Sequence, residues 1–368
     1  MEGSAFRGEG LDPALLPLEE LADCAATALA ADGKRILSYG SGAGYTPLRE
    51  LIAEWFRVHP RRVVLTNGSL QGLGLLARQL AGSRPVVAEY PINDRAEKVL
   101  LDAGAMLLSV QVGPEGMQTD ELKQMLTEYR RPAFVYTIPT FHNPSGTTMT
   151  GPRRITLTEL VRAQNLLQAE HLELVEDDSY GLTRFEGERL PTLFDCTRGA
   201  SVYASSFSAT IAPGLRVGWL VLPDALAPRF VDRATDTYIT PALLGQATVF
   251  EFLRRGSLEA HLERLREGLR LRRDALLDSV AVHFPDGSLT RPEGGVCAWL
   301  ELPPGTDSRP FVEGAATGLA AAGTAFASTA NGLRLSFGSA PPDELESAVE
   351  RLAEVRAQLS RSRAQLSS

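Results

Sequence analysis

Two acidic residues follow an apolar run in the stretch LVEDDSYG. The run, Leu172–Glu176, predicts a buried strand, which places Asp177 and Asp178 at its carboxyl end. Open α/β sheets bind their ligands at this edge. We interpret Asp177 as the buried acid of a ligand site, and the alternative is an aspartate that caps a helix or a turn.

A helix that begins directly after a strand can bind an anion. In LTNGSLQGLGLLARQL the strand ends before Asn67, and the helix begins at Ser69. The N–H groups of a helix start attract negative charge, and Gly68 permits close approach of the backbone to a ligand. The stretch therefore predicts a phosphate site at Gly68 and Ser69, with an ordinary capped helix as the alternative.

Hydroxyl groups and a guanidinium group follow another strand in SSFSATIAPGLRVGW. Ser206, Ser208 and Arg216 together could bind a phosphate dianion, because arginine makes bidentate contacts to such groups. The alternative is a serine-rich loop beside a surface arginine.

Alternating strands and helices must position these residues. Short apolar runs predict buried strands at Val63–Thr66, Val86–Glu89, Ala133–Thr137, Leu172–Glu176, Val202–Ser205 and Val217–Val221. The segments between them predict crossover helices at Ser69–Leu80, Arg95–Ala103, Glu121–Tyr129 and Arg153–Glu170. Repeated βαβ units build a mostly parallel sheet, so we expect a large α/β domain.

A second domain is expected after a long amphipathic helix, in which leucines repeat from Leu258 to Leu269. Beyond it, the strand-like runs 296–302 and 333–337 and a final helix indicate a small α+β domain. We place an N-terminal segment at 1–40, the large domain at 41–283 and the small domain at 284–368. The N-terminal segment reads as helical and could pack on either domain.

The composition excludes several classes of function. The 368 residues include 37 Lys and Arg against 45 Asp and Glu, and a net charge of -8 gives no basic excess for nucleic acid. Cys24, Cys196 and Cys297 are too far apart for a metal site and odd in number, which suits a reducing cytoplasm. No apolar stretch of about 18 residues and no signal peptide occur, so we expect a cytoplasmic protein with no membrane partner.

Seven blocks, taken in order, resemble the fold-type-I pyridoxal-phosphate (PLP) enzymes. They are SYGSGAGYTPLRELIAEWF, TNGSLQGL, PTFHNPSGTTMT, VEDDSYGLTRFEGERLPTL, SSFSATIAPGLRVGWLVLP, PEGGVCAWLELPPG and NGLRLSFG. The resemblance is to the class I/II aminotransferases of the 2-aminoadipate and MocR-like branch, and it covers nearly the whole chain. It implies a doubly wound α/β large domain with a small α+β domain. It also implies a homodimer with active sites at the subunit interface.

The resemblance also implies roles for individual residues. Asp177 would pair with the pyridine nitrogen, while Tyr180 and Asn143 would bind the ring 3-hydroxyl. The residues implied for the phosphate are Gly68, Ser69, Ser206, Ser208 and Arg216, with Tyr39 reaching it from a second subunit. Arg334, Gly40 and Asn143 would bind the α-carboxylate of an amino-acid-like substrate.

The lysine that binds PLP covalently in this family belongs directly after Ser208, and the chain has Ala209 there. That lysine also moves a proton between substrate and cofactor, so alanine removes both the anchor and the base. The chain's three lysines, Lys34, Lys98 and Lys123, lie outside the matching segments.

Two other positions bear on the missing lysine. Asn93 stands where the family usually has an aromatic ring stacked on the cofactor. His142, directly before Asn143, could serve as a replacement base, and the alternative is a loop histidine that packs on the partner subunit.

Three functions are compatible with this pattern. The first is an aminotransferase for an α-amino acid and α-keto acid pair, with its catalytic lysine replaced by Ala209. The second is a lysine-less descendant that uses the pocket for a cyclisation or an elimination, with or without PLP. The third is a non-catalytic binding protein. If PLP is bound, we expect it to be non-covalent.

Overall fold

A sheet of eight strands forms the centre of the large domain. The computed structural model describes residues 10–129, 131–167, 171–303, 306–315, 320–326 and 331–366. The strands are β1 (Val63–Thr66), β2 (Val86–Tyr90), β3 (Leu107–Gly113), β4 (Gly116–Met117), β5 (Phe134–Thr137), β6 (Glu173–Asp177), β7 (Val202–Ser206) and β8 (Gly218–Val221). Every residue of β1, β5, β6, β7 and β8 is buried. Most of these strands are short apolar runs in the sequence, whereas β6 also buries the carboxyl groups of Glu173, Glu176 and Asp177.

Helices connect and cover these strands. They are α1 (Leu18–Ile36), α2 (Thr46–Phe56), α3 (Ser69–Leu80), α4 (Asp94–Asp102), α5 (Thr119–Glu128), α6 (Gly151–Leu167), α7 (Leu193–Cys196), α8 (Ala227–Tyr238), α9 (Leu243–Arg254) and α10 (Ser257–His283). The expected crossover helices are therefore present as α3, α4, α5 and α6.

The strand order across the sheet is β1-β8-β7-β6-β5-β2-β3-β4. Strands β7, β6, β5, β2 and β3 pair in parallel, whereas β8 is antiparallel to both β1 and β7. The expectation of a mostly parallel α/β sheet is confirmed. Because β8 runs in the opposite direction, the residues just before β8 lie at the edge where β6 and β7 end.

The small domain contains a second, antiparallel sheet. Its strands β9 (Ser288–Leu289), β10 (Cys297–Glu301), β11 (Ala320–Ala322) and β12 (Gly332–Ser336) have the order β11-β12-β10-β9. The helices α11 (Arg309–Ala315) and α12 (Pro342–Leu366) complete the domain. Leucines of α10, including Leu262 and Leu269, share one core with Leu300 and Leu333 of this sheet. The long amphipathic helix thus packs its leucines on the small domain.

The N-terminal segment contacts both domains. The amide N of Asp12 donates to the carbonyl oxygen of Gly338 at 2.8 Å, and Arg272 forms an ion pair with Asp12. Further along, α1 packs against α9, with Cys24 and Ile36 in the large-domain core. The segment therefore begins on the small domain and continues on the large one.

None of the helices in the described ranges combines the length and the apolar character that crossing a membrane requires.

Candidate functional site

Asp177, the last residue of β6, is buried at the carboxyl edge of the large sheet. Its Oδ2 atom accepts a hydrogen bond from the Tyr136 hydroxyl at 2.9 Å, and its Oδ1 atom accepts one from Ser179 at 2.6 Å. Burial raises the pKa of Asp177, whereas the two hydroxyl donors favour the ionised form. Asp177 is buried as expected, but its neighbour Asp178 is buried as well, so burial does not distinguish the two acids.

The start of α3 has backbone N–H groups that can bind an anion. Gly68 precedes the helix with a φ of 93°, and no described side chain caps the helix start. The Arg216 guanidinium crosses directly over Gly68, where its Nη2 donates to the carbonyl oxygen of Asn67 at 3.0 Å. A Cβ atom at position 68 would collide with that guanidinium. Only glycine fits both the backbone conformation and the close contact.

Two serine hydroxyls lie after β7, at the same edge. The Ser206 hydroxyl donates to Oγ of Ser208 at 2.8 Å, and the amide N of Ser208 donates to Ser206 Oγ at 3.0 Å. Arg216 reaches this edge because it precedes the antiparallel strand β8. Hydroxyls, a helix start and a guanidinium are the groups that bind a phosphate in proteins.

A single hydroxyl joins the buried acid to the helix start. The Ser179 hydroxyl, which donates its proton to Asp177, also lies 3.3 Å from Oγ of Ser69. This series of polar contacts would hold a flat ligand at both ends: Asp177 would bind a basic ring nitrogen, and the start of α3 would bind a phosphate.

A second polar group lies between the two domains. Nη1 of Arg334 donates to Oδ1 of Asn143 at 3.3 Å, and Nδ2 of Asn143 donates to the Tyr180 hydroxyl at 3.2 Å. Arg334 is only 5% exposed, and its guanidinium lies 4.8 Å from the ring centroid of Phe326. The structure therefore brings together three residues that the resemblance assigns to substrate and ring binding.

Tyr39 and Gly40 lie apart from these contacts. Tyr39 is 82% exposed, and Gly40 is next to Leu243 and Thr240 at the start of α9. The neighbours described for Gly40 do not include Arg334, so its predicted role in carboxylate binding stays a prediction.

Ala209 lies in the turn after β7, next to Ser208. All three lysines are exposed: Lys34 near the end of α1, Lys123 on α5, and Lys98 on α4, where it pairs with Asp94 at 3.1 Å. Among the described residues, then, each lysine has a surface position.

Asn93 caps α4. Its side-chain oxygen accepts hydrogen bonds from the amide N atoms of Arg95 and Ala96 at 2.9 and 3.1 Å. Asn93 therefore has a local structural role as a helix cap.

His142 is 2% exposed. Its Nδ1 lies 2.7 Å from the Ser145 hydroxyl, and its Nε2 lies 3.4 Å from Oε2 of Glu89. Burial lowers the pKa of His142 to about 3 and raises that of Glu89 to about 7. A histidine that is this hard to protonate suits the support of the Asn143 loop better than the role of a replacement base.

Three residues of the site were not singled out from the sequence: Tyr136, Ser179 and Glu89. The sequence assigns Tyr136 and Glu89 only to predicted strands. A strand pattern does not show which polar side chain will contact a side chain on a neighbouring strand, so their contacts could not be predicted. Ser179 lies in the quoted stretch LVEDDSYG, and its position two residues after Asp177 is the one available signal.

The residues present fit PLP at both ends. At one end the space beside Gly68, which a Cβ atom would fill, can take the phosphate, and at the other end the buried Asp177 can bind the ring nitrogen. Within the described ranges, no group of His, Cys, Asp and Glu side chains is arranged to hold a metal ion.

Comparisons with known proteins agree with this geometry. The family model for aminotransferase class I and II matches residues 11–352. A 2-aminoadipate transaminase from Thermus thermophilus is 36% identical over 307 residues, covering 82% of this chain and 75% of that protein. An aromatic-amino-acid aminotransferase from Thermococcus litoralis is 31% identical over 93% of this chain and 85% of its own length.

A solved structure is similar over almost the full length. The α-aminoadipate aminotransferase LysN from Thermus thermophilus, complexed with N-(5'-phosphopyridoxyl)-L-leucine, matches with a TM-score of 0.90 and 33% identity. The match covers 97% of this chain and 92% of that one. The cofactor of such enzymes is PLP. The chain belongs to the class I and II aminotransferases.

Proposed function

We propose that this protein binds PLP or its amine form, pyridoxamine phosphate (PMP), non-covalently, together with an α-amino acid or α-keto acid. The observation that carries the proposal is the hydrogen-bond chain from Asp177 through Ser179 to Ser69. It aligns an acid for the ring nitrogen with a cradle for the phosphate.

Each group of residues has one task in this proposal. Asp177 holds a proton at the ring nitrogen, and the cradle at Gly68 and Arg216 anchors the phosphate. Asn143 and Tyr180 bind the ring oxygen. When bound, the cofactor supplies an electron sink for bonds at the substrate Cα.

Arg334 binds the substrate carboxylate. A guanidinium matches a planar carboxylate in a bidentate geometry, and burial strengthens the contact. Because Asn143 contacts both Arg334 and Tyr180, it places the carboxylate at a fixed position relative to the ring.

Ala209 decides which cofactor form is retained. PMP makes no covalent bond to a lysine, so the alanine costs it nothing, whereas PLP loses its usual anchor. We therefore expect PMP to bind at least as tightly as PLP. Dissociation constants in the micromolar range correspond to a binding free energy of roughly -8 kcal/mol.

Calorimetric titration with PMP and with PLP tests the proposal. The Arg216→Ala variant, which removes one phosphate contact, is the control and should bind both more weakly. Absence of saturable binding up to millimolar PMP and PLP would overturn the proposed function.

A non-catalytic binding role is the second candidate, and the position of His142 favours it. With Ala209 at the lysine position and His142 enclosed by Glu89 and Ser145, neither predicted base is available to move a proton. Tight PMP binding without turnover of any amino acid or keto acid would support this role. Net elimination or cyclisation of an amino acid would instead support the lysine-less descendant.

We propose a homodimer as the active form. Gly40 contacts Thr240 and Leu243, so the exposed side chains of Leu37, Tyr39, Ile239 and Leu244 belong to neighbouring segments of the surface. Exposed apolar patches mark interaction sites. In this arrangement Tyr39 would reach the phosphate of the second subunit. A monomer by analytical ultracentrifugation at micromolar concentration would contradict it.

A further inference from the structure

Asp177 lies in an acidic, buried environment. Asp178 follows it directly, and the Glu89 carboxyl is near enough that Asp177 raises its pKa. Burial and the neighbouring Asp178 carboxylate both favour a proton on Asp177. A protonated Asp177 could not stabilise a positively charged ring nitrogen, so the site needs an opposing influence.

Two hydroxyl groups supply that influence. Tyr136, on the neighbouring strand β5, donates to one carboxylate oxygen, and Ser179 donates to the other. Hydrogen bonds to the charged form of an acid stabilise that form, and two donors also fix the plane of the carboxylate. Tyr136 is buried, so its hydroxyl cannot exchange Asp177 for bulk water.

We infer that Tyr136 is a positioning residue that keeps Asp177 ionised and oriented toward the cofactor ring nitrogen. Ser179 supports the same carboxylate and, through Ser69, fixes its position relative to the phosphate cradle. The inference rests on the proposed function, because it assumes that the pocket binds a phosphopyridoxyl group.

The chain offers a matched control. Tyr203 donates its hydroxyl to Oδ2 of Asp178 at 2.8 Å, and both residues are buried. Tyr203→Phe therefore deletes the same hydroxyl atom from a similar tyrosine–aspartate pair, in which the aspartate is Asp178, the residue after Asp177. A purely structural contribution would be comparable in the two variants.

The experiment compares two ligands in three proteins. PMP and its 1-deaza analogue, which has carbon in place of the ring nitrogen, are titrated into the unchanged protein, Tyr136→Phe and Tyr203→Phe. We expect Tyr136→Phe to weaken PMP binding by at least about tenfold and to leave the analogue within about twofold, because only PMP uses the Asp177 charge. Tyr203→Phe should change neither.

A spectroscopic signature gives a second readout. With PMP labelled with ¹⁵N in the ring, the chemical shift of the bound nitrogen should report the protonated ring in the unchanged protein. Loss of that signal in Tyr136→Phe is expected, together with its retention in Tyr203→Phe.

The possible outcomes distinguish the proposed cofactor binding from the role of Tyr136. If the unchanged protein binds no PMP, both the proposed function and this inference are wrong. If it binds PMP but Tyr136→Phe weakens PMP and the analogue equally, or weakens neither, only the inference is wrong. Should Tyr136→Phe fail to fold, Ser179→Ala is compared with Ser179→Thr, which keeps the hydroxyl. The alanine variant alone should lose PMP selectivity, and equal behaviour of the two overturns the inference.

Discussion

Nη1 of Arg334, on β12 of the small domain, donates a hydrogen bond to Oδ1 of Asn143, on a loop of the large domain, at 3.3 Å. The neighbours of Arg334 on the strand, Leu333 and Leu335, are buried in the small-domain core, so the guanidinium lies on the opposite face. A change at this one contact therefore reports both on ligand binding and on domain contact.

Arg334→Ala should weaken the binding of a carboxylate ligand by between ~30-fold and several thousand-fold while PMP affinity stays nearly unchanged. Loss of a charge-assisted contact shielded from water costs about 2 to 5 kcal/mol. Calorimetry with α-keto acids in the PMP complex measures it. The control is Arg272→Ala, which breaks the ion pair with Asp12 and should lower the melting temperature alone. If Arg334→Ala also affects only the melting temperature, the arginine merely ties the domains together.

Ala209→Lys should give a yellow protein with covalently bound PLP and turnover of an amino acid with a keto acid. The lysine restores both the anchor and the base at the position next to Ser208. Absorbance of the isolated protein and a screen of amino donors, including 2-aminoadipate and aromatic amino acids, measure the two effects. Ala209→Met, similar in length without an amine, should stay colourless. A colourless or inactive Ala209→Lys variant would favour other chemistry or a binding role.

Gly68→Ala should weaken PMP binding and lower stability. The alanine would be strained at a φ of 93°, and its Cβ would displace the Arg216 guanidinium. Strain of this kind costs roughly 1–3 kcal/mol. Gly214→Ala is the control, since a Cβ at Gly214 meets nothing within 4 Å. Titration and thermal melting of both variants measure the difference, and equal PMP affinity in the two would contradict a phosphate cradle at Gly68.

Glu173→Gln should make the protein more stable at pH 8 and leave its stability unchanged near pH 4. Burial raises the pKa of Glu173 from 4.5 to about 7, so the folded protein keeps a proton that the unfolded chain loses. The free energy of unfolding therefore falls as pH rises from about 4.5 to about 7, by on the order of 3 kcal/mol. A glutamine at position 173 does not titrate, so Glu173→Gln removes this fall in the free energy of unfolding.

Denaturant unfolding between pH 4 and pH 8 measures this effect. Glu186→Gln is a control of opposite sign, because the hydrogen bond from Arg273 lowers the pKa of Glu186 and stabilises the folded protein above the unfolded-state pKa. Identical pH profiles for Glu173→Gln and the unchanged protein would contradict the raised pKa.

The strands and the acid at Asp177 could be predicted because each depends on local sequence. A short apolar run signals a buried parallel strand, and the polar residue that follows the run lies at the sheet edge. Gly68 and Ser69 follow the same logic. The antiparallel direction of β8 has no local signal, so the sequence groups Arg216 with Ser206 and Ser208 by their closeness along the chain and not by a shared sheet edge.

The environments of Tyr136 and His142 could not be predicted. Tyr136 meets Asp177 only after β5 and β6 pair, and His142 meets Glu89 only after the loop folds over β2. Burial changes the chemistry of both side chains, and burial is a property of packing between distant segments.

The N-terminal segment spans the boundary between the two domains within a short length of chain. Asp12 donates its amide to Gly338 and pairs with Arg272, whereas Cys24 and Ile36 of α1 lie in the core of the large domain. Any displacement of one domain relative to the other would therefore have to be accommodated by the few residues between Asp12 and Cys24.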